Sequence, residues 1–169
     1  MKMRIGIVYY SRSGNTREIA EILCRKLRER NADAEMIEIK TAKKVGFLQA
    51  FLVSIQYRNV PLENIDYDLS KYDVVVVGTP IWIGRPSPIV ETFMKNTEGL
   101  GLHGRRVFVF ATCSRNPDAQ GGGVELIKNV LKKHDAIVND VFLVLKMRKR
   151  EIIKRNMEID DFIENIISA

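Results

Sequence analysis

Asp73-Val-Val-Val-Val-Gly78 constrains this chain more than any other stretch. Four consecutive β-branched residues with no polar alternation read as a strand buried on both faces, which requires a parallel sheet with a helical layer on each side. Two more runs, Ile5-Gly-Ile-Val-Tyr-Tyr10 and Val107-Phe-Val-Phe-Ala-Thr112, are likewise β-branched and aromatic without polar alternation. Ala34 to Ile39 instead alternates charged and apolar positions, as a half-exposed edge strand does, and Ile137 to Leu145 supplies a last strand. Between them, apolar residues recur at helical spacing. Ile19, Ala20, Leu23 and Leu27 mark a helix from about Thr16 to Arg30. Pro88 with Ile89, Val90 and Phe93 opens another, Val124 to His134 forms a third, and Ile159, Phe162, Ile163, Ile166 and Ile167 close the chain. A further helix is expected from Lys43 to Arg58 through Val45, Leu48, Phe51, Leu52 and Ile55, packed on the sheet. A homo-oligomer surface using Phe47, Phe51 or Tyr57 is the alternative there.

Five strands alternating with helices imply right-handed crossovers and a doubly wound α/β fold with helices on both faces. An edge-like second strand fits the order 2-1-3-4-5. At 169 residues one domain, 1–169, can bury a sizeable core. No apolar run approaches the roughly 20 residues of a membrane span, and the one after Met1-Lys-Met-Arg4 is too short for a signal-peptide core. A cytoplasmic protein is expected. Cys24 and Cys113 form no C-x-x-C, so zinc and disulfide frameworks are unsupported, and an iron–sulfur centre ligated by four cysteines of this chain is excluded by count.

In the order 2-1-3-4-5 the loops after the first, third and fourth strands open on one carboxyl edge at the switch point. The first, Ser11-Arg-Ser-Gly-Asn-Thr16, joins a strand to a helix N-terminus, with Asn15 as N-cap and Glu18 completing a capping-box-like pattern. Unpaired N–H groups, the hydroxyls of Ser11, Ser13 and Thr16, and Gly14 suit a phosphate. The loop has no lysine and matches neither G-x-x-x-x-G-K-S/T nor G-x-G-x-x-G, so one terminal phosphate held by neutral donors is expected. The second loop, Thr79-Pro-Ile-Trp-Ile-Gly-Arg-Pro-Ser-Pro88, stiffens the only tryptophan with three prolines, and an exposed loop tryptophan is more often functional than a buried helical one. The third, Cys113-Ser-Arg-Asn-Pro-Asp-Ala-Gln-Gly-Gly-Gly123, offers backbone groups to a ligand's polar edge.

These motifs resemble the flavodoxin family over essentially the whole chain. Ser11–Thr16 is similar to its phosphate loop, S/T-x-T-G-x-T, with Ser13 for the usual threonine. Tyr72 to Trp82 is similar to its third strand and first isoalloxazine loop, and Ala111 to Gly123 to the second. The resemblance implies FMN, its phosphate on Ser11, Arg12, Ser13, Gly14, Asn15 and Thr16. The ring would lie between Thr79, Pro80, Ile81, Trp82, Ile83 and Gly84 on one side and Thr112, Cys113, Ser114, Arg115, Asn116, Gly121 and Gly122 on the other. Trp82 would exclude water, the Ile83–Gly84 peptide would reorient toward N5, and Arg85 or Arg115 near N1 would raise the potential. Neither His103 nor His134 is placed for acid–base work, and Cys113 is read as a small loop residue.

Net charge is +6, whereas electron-shuttling flavodoxins are typically acidic. Much of the excess lies in Arg25 to Arg30 and in Lys146 to Arg155. The second segment lacks aromatic interleaving, so it reads as a solvated face and nucleic acid is not an expected partner. Three functions stay open: an FMN electron carrier for a redox partner protein, an NAD(P)H-dependent quinone or flavin reductase, and a flavin-free binding module on the same fold. No protein-derived catalytic residue and no metal are expected.

Overall fold

The computed structural model describes residues 1–42, 62–63, 67–95 and 100–169. The helix expected from Lys43 to Arg58, and with it the surface of Phe47, Phe51 and Tyr57, lies outside the described residues. In chain order the elements are β1 (Arg4–Tyr9), α1 (Asn15–Glu29), β2 (Asp33–Glu38), β3 (Val74–Trp82), β4 (Arg85–Pro86), α2 (Pro88–Lys95), β5 (Arg106–Cys113), α3 (Gly121–Lys132), β6 (Ile137–Arg148), β7 (Glu151–Arg155) and α4 (Ile159–Ile167).

The sheet runs β2-β1-β3-β5-β6-β7, with β4 paired to β3. All pairings from β2 through β6 are parallel. The expected 2-1-3-4-5 order is therefore present, and two short strands are added to it. Both additions are antiparallel and both come from hairpins: β4 folds back on β3, and β7 folds back on β6. The sheet is consequently mixed at one edge rather than wholly parallel. β6 also runs three residues beyond Leu145, because β7 gives Lys146, Met147 and Arg148 a pairing partner.

The valine run does what its composition requires. Val74 and Val76 pack with Ile5, Ile7, Phe108 and Phe110 under α1 and α4. Val75 and Val77 pack with Val8, Val107 and Val109 under α2 and α3. Successive side chains of a strand point to opposite faces, so one strand feeds two cores. β2 is partly exposed along its length, as its alternation indicates. At the other edge β7 exposes Glu151, Lys154 and Arg155, and charge on an outer strand discourages pairing with another chain.

Candidate functional site

The carboxyl ends of β1, β3 and β5 point the same way because the three strands are adjacent and parallel. Their loops enclose a cleft of about 410 Å³. Arg12, Ser13, Asn15 and Thr16 come from the first loop, Pro80, Ile81 and Trp82 from the second, and Thr112, Cys113 and Ser114 from the third. Met147 of β6 completes the lining. Apart from Met147 the lining consists of residues singled out by sequence.

The first loop turns at Gly14, whose φ of 88° is left-handed and which occupies the N-cap of α1. Asn15 is thus the first helical residue and not the cap expected from its type. Its side-chain oxygen instead accepts a 2.9 Å hydrogen bond from the Arg150 N–H, in the turn between β6 and β7. Glu18 closes the first helical turn by donating its N–H to the Gly14 carbonyl. Ser11 Oγ is buried and has no hydrogen-bond partner. A buried hydroxyl without a protein partner is costly, so this atom is free to bond a polar ligand group. Thr16 and Thr112 hydroxyls meet at 2.8 Å in a buried contact, which locks the first loop to the third.

In the second loop the fully buried Thr79 works on the protein itself. Its Oγ1 accepts the Ser87 N–H at 3.1 Å, and the Pro80 carbonyl takes the same N–H at 3.0 Å. Thr79 pins the β3–β4 hairpin and does not line the cleft. Trp82 is half-buried; Tyr10 meets its ring edge-to-face at 6.2 Å and Arg12 Cζ lies 6.0 Å from its centroid. The tryptophan is therefore held by contacts from the first loop. Ile83 and Gly84 form the exposed two-residue turn beyond it, with φ of 53° and 76°.

The third loop is shorter than the sequence indicates. A 3-10 turn, Pro117–Ala119, leads straight into α3, so Gly121, Gly122 and Gly123 begin a helix rather than extend a loop. Gly123 is needed for close approach: a β-carbon there would fall 3.0 Å from Ile81 Cδ1 and 3.1 Å from the Gly84 carbonyl oxygen. Cys113 Sγ contacts the Arg115 carbonyl at 3.3 Å, and burial pushes its thiol pKa up, which suits an inert packing residue. Neither Arg85 nor Arg115 lines the cleft, and the Asn116 side-chain oxygen is held by Lys154 Nζ at 2.9 Å. Among the described residues Arg12 is the one charged residue in the lining, and with the N-terminus of α1 it makes this end of the cleft positive.

Three residues that matter here, Met147, Arg150 and Lys154, belong to the segment read from sequence as a solvated basic face. Glu151-Ile-Ile-Lys-Arg155 does not alternate and Lys149-Arg150 carries no turn residue, so the sequence held no local sign of this hairpin. Among the described residues no cluster of histidine, cysteine or carboxylate groups is placed for a metal, and no helix is long and apolar enough to cross a membrane.

The family model described as NADPH-dependent FMN reductase matches residues 3–141. A curated relative, the NAD(P)H dehydrogenase (quinone) of Cupriavidus metallidurans, is 26% identical over 101 residues, which is 60% of this chain and 50% of that protein. The chain spans about half the length of the curated relatives it matches. Among solved structures, a candidate flavoprotein from Bacteroides eggerthii superposes with a TM-score of 0.72 at 19% identity, covering 98% of this chain and 96% of that one. A flavoprotein in complex with FMN from Lactobacillus acidophilus gives 0.56 at 22% identity, covering 85% and 92%. Oxidised flavodoxin 1 from Bacillus cereus gives 0.59 at 19% identity, covering 98% and 92%, and these likenesses establish the flavodoxin-like fold.

Proposed function

The chain belongs to the NADPH-dependent FMN reductase family, and from that premise we propose that it is an FMN-dependent oxidoreductase that takes hydride from NAD(P)H and delivers reducing equivalents to a small quinone-class acceptor. The protein is a flavodoxin-like, FMN-binding redox protein; the donor, the acceptor and the residue roles are the proposal. The observation that carries it is the convergence of three strand-end loops on one cleft with a positive end and an aromatic wall.

The residues present suit the cofactor. The partnerless, buried Ser11 Oγ and the N–H groups at the start of α1 would donate to the phosphate, with Ser13 and Thr16 beside them. Pro80, Ile81 and Trp82 would cover a ring face and keep water from it, while Ser114 and the backbone of the third loop would meet its polar edge. Bound FMN supplies the two-electron chemistry, and the chain's part is to orient it and set its surroundings. No histidine lines the cleft, so no side chain is assigned as proton donor.

Two things favour the reductase over an electron carrier: the family match and the net charge of +6, which favours pyridine-nucleotide phosphates. The test is steady-state oxidation of NADPH and NADH by FMN-loaded protein with a water-soluble quinone. Turnover well above that of free FMN is expected. A loaded protein that dithionite reduces and NAD(P)H does not would overturn the reductase and leave the carrier.

A further inference from the structure

The turn joining β6 to β7 is Lys149-Arg150, with Arg148 and Glu151 as the last paired residues and φ of 50° and 68°. Positive φ at both central positions is the type I′ pattern, which strongly prefers Asn-Gly or Asp-Gly. A lysine and an arginine in that conformation are strained, and such strain persists where the surroundings impose it.

The surroundings are the first loop of the cleft. The Arg150 N–H is held by the Asn15 side chain at 2.9 Å. A β-carbon built on Gly14 would fall 2.7 Å from Arg150 Nε and 3.1 Å from Cζ, so the guanidinium lies directly on the N-cap of α1. Among the described residues Arg150 has no ion-pair partner, although neighbours in the same hairpin do: Lys154 pairs with Asp118 and Arg155 with Glu158. Lys154 also ties the hairpin to the third loop through Asn116, and Met147 lines the cleft. The hairpin is anchored at both ends of the site and brings one uncommitted cation to its anion-binding end.

We infer that Arg150 is a second cation of the phosphate site beside Arg12, supplied from the β6–β7 turn to a loop that has no lysine of its own, and that it selects FMN over flavin lacking the phosphate. The inference rests on the FMN reading above. It concerns a residue beyond the segment, 3–141, that the family model matches. Glycine at position 14 suits this arrangement through its left-handed φ, and a β-carbon there would displace the guanidinium.

The experiment is equilibrium titration of apoprotein with FMN and with riboflavin, followed by flavin fluorescence at low and moderate salt. The proteins are the wild type, Arg150→Ala, and a double variant carrying Lys149→Asn and Arg150→Gly. The double variant gives the turn its preferred residues, so it keeps or gains thermal stability while losing the guanidinium. A charge-assisted hydrogen bond to phosphate predicts FMN affinity about 10- to 100-fold weaker in both variants, with a flatter salt dependence. Riboflavin affinity should change by less than about twofold, since the phosphate contact is absent. Equal FMN affinity in wild type and in the folded double variant would overturn the role of Arg150 while leaving FMN binding intact. A wild-type protein that binds neither flavin would overturn both.

Discussion

Two hairpins of the same design flank the cleft, and the sequence announces only one of them. Ile83-Gly84 joins β3 to β4, and Lys149-Arg150 joins β6 to β7; each is a two-residue turn with positive φ at both positions. The first is ringed by prolines and contains a glycine, so its loop character is visible in the residues themselves. The second is a run of basic residues with no turn chemistry. Their neighbours explain the contrast: Gly123 of α3 seats the Gly84 carbonyl, and Asn15 with Gly14 seats Arg150. A turn built against its own preference reveals what packs on it.

If the first hairpin serves the flavin ring and the second the phosphate, substitutions should separate by ligand. Trp82→Ala should weaken FMN and riboflavin alike, by about 10- to 100-fold, because a stacked or edge-packed aromatic acts on the ring that both share. Fluorescence titration checks it, and loss of FMN affinity alone would erase the distinction between the hairpins. Gly123→Val should force the first hairpin away from α3 and destabilise the protein by about 1–3 kcal/mol through overpacking, read by urea denaturation. The second hairpin should be untouched in that variant.

Relieving strain is the next, smaller effect. Ile83 is 65% exposed, so Ile83→Asn forfeits little packing, creates an Asn-Gly turn and should stabilise by about 1 kcal/mol. An unchanged denaturation midpoint would mean that the flanking strands, not the turn, set its energy. The smallest effect is expected from Asn15→Ala, which removes the acceptor for the Arg150 N–H; an exposed hydrogen bond of this kind should be worth about 0.5–1 kcal/mol. FMN affinity should fall only a few-fold there, less than on removing the guanidinium itself.

The parallel order of the five main strands was legible because three of them are apolar without interruption and one alternates. Residues lining the cleft were legible for a related reason. Loops at the carboxyl ends of adjacent parallel strands must converge, and proline, glycine and hydroxyl residues mark them. What the residues misplaced was local: the cap of α1 fell to Gly14 instead of Asn15, because Asn15 is engaged by a turn 135 positions away. Thr79 carries a binding-loop signature yet spends its hydroxyl on Ser87, and Asn116 is taken by Lys154.

The amino-acid sequence by itself determined the sheet, its two cores and the three loops that meet at its edge, since hydrophobic periodicity and turn chemistry act between near neighbours along the chain. Tertiary structure alone decided that a basic C-terminal segment would fold back as β7 and lay Arg150 on Gly14. That choice depends on contacts across more than a hundred residues, and a lysine–arginine turn has no local energetic reason to form.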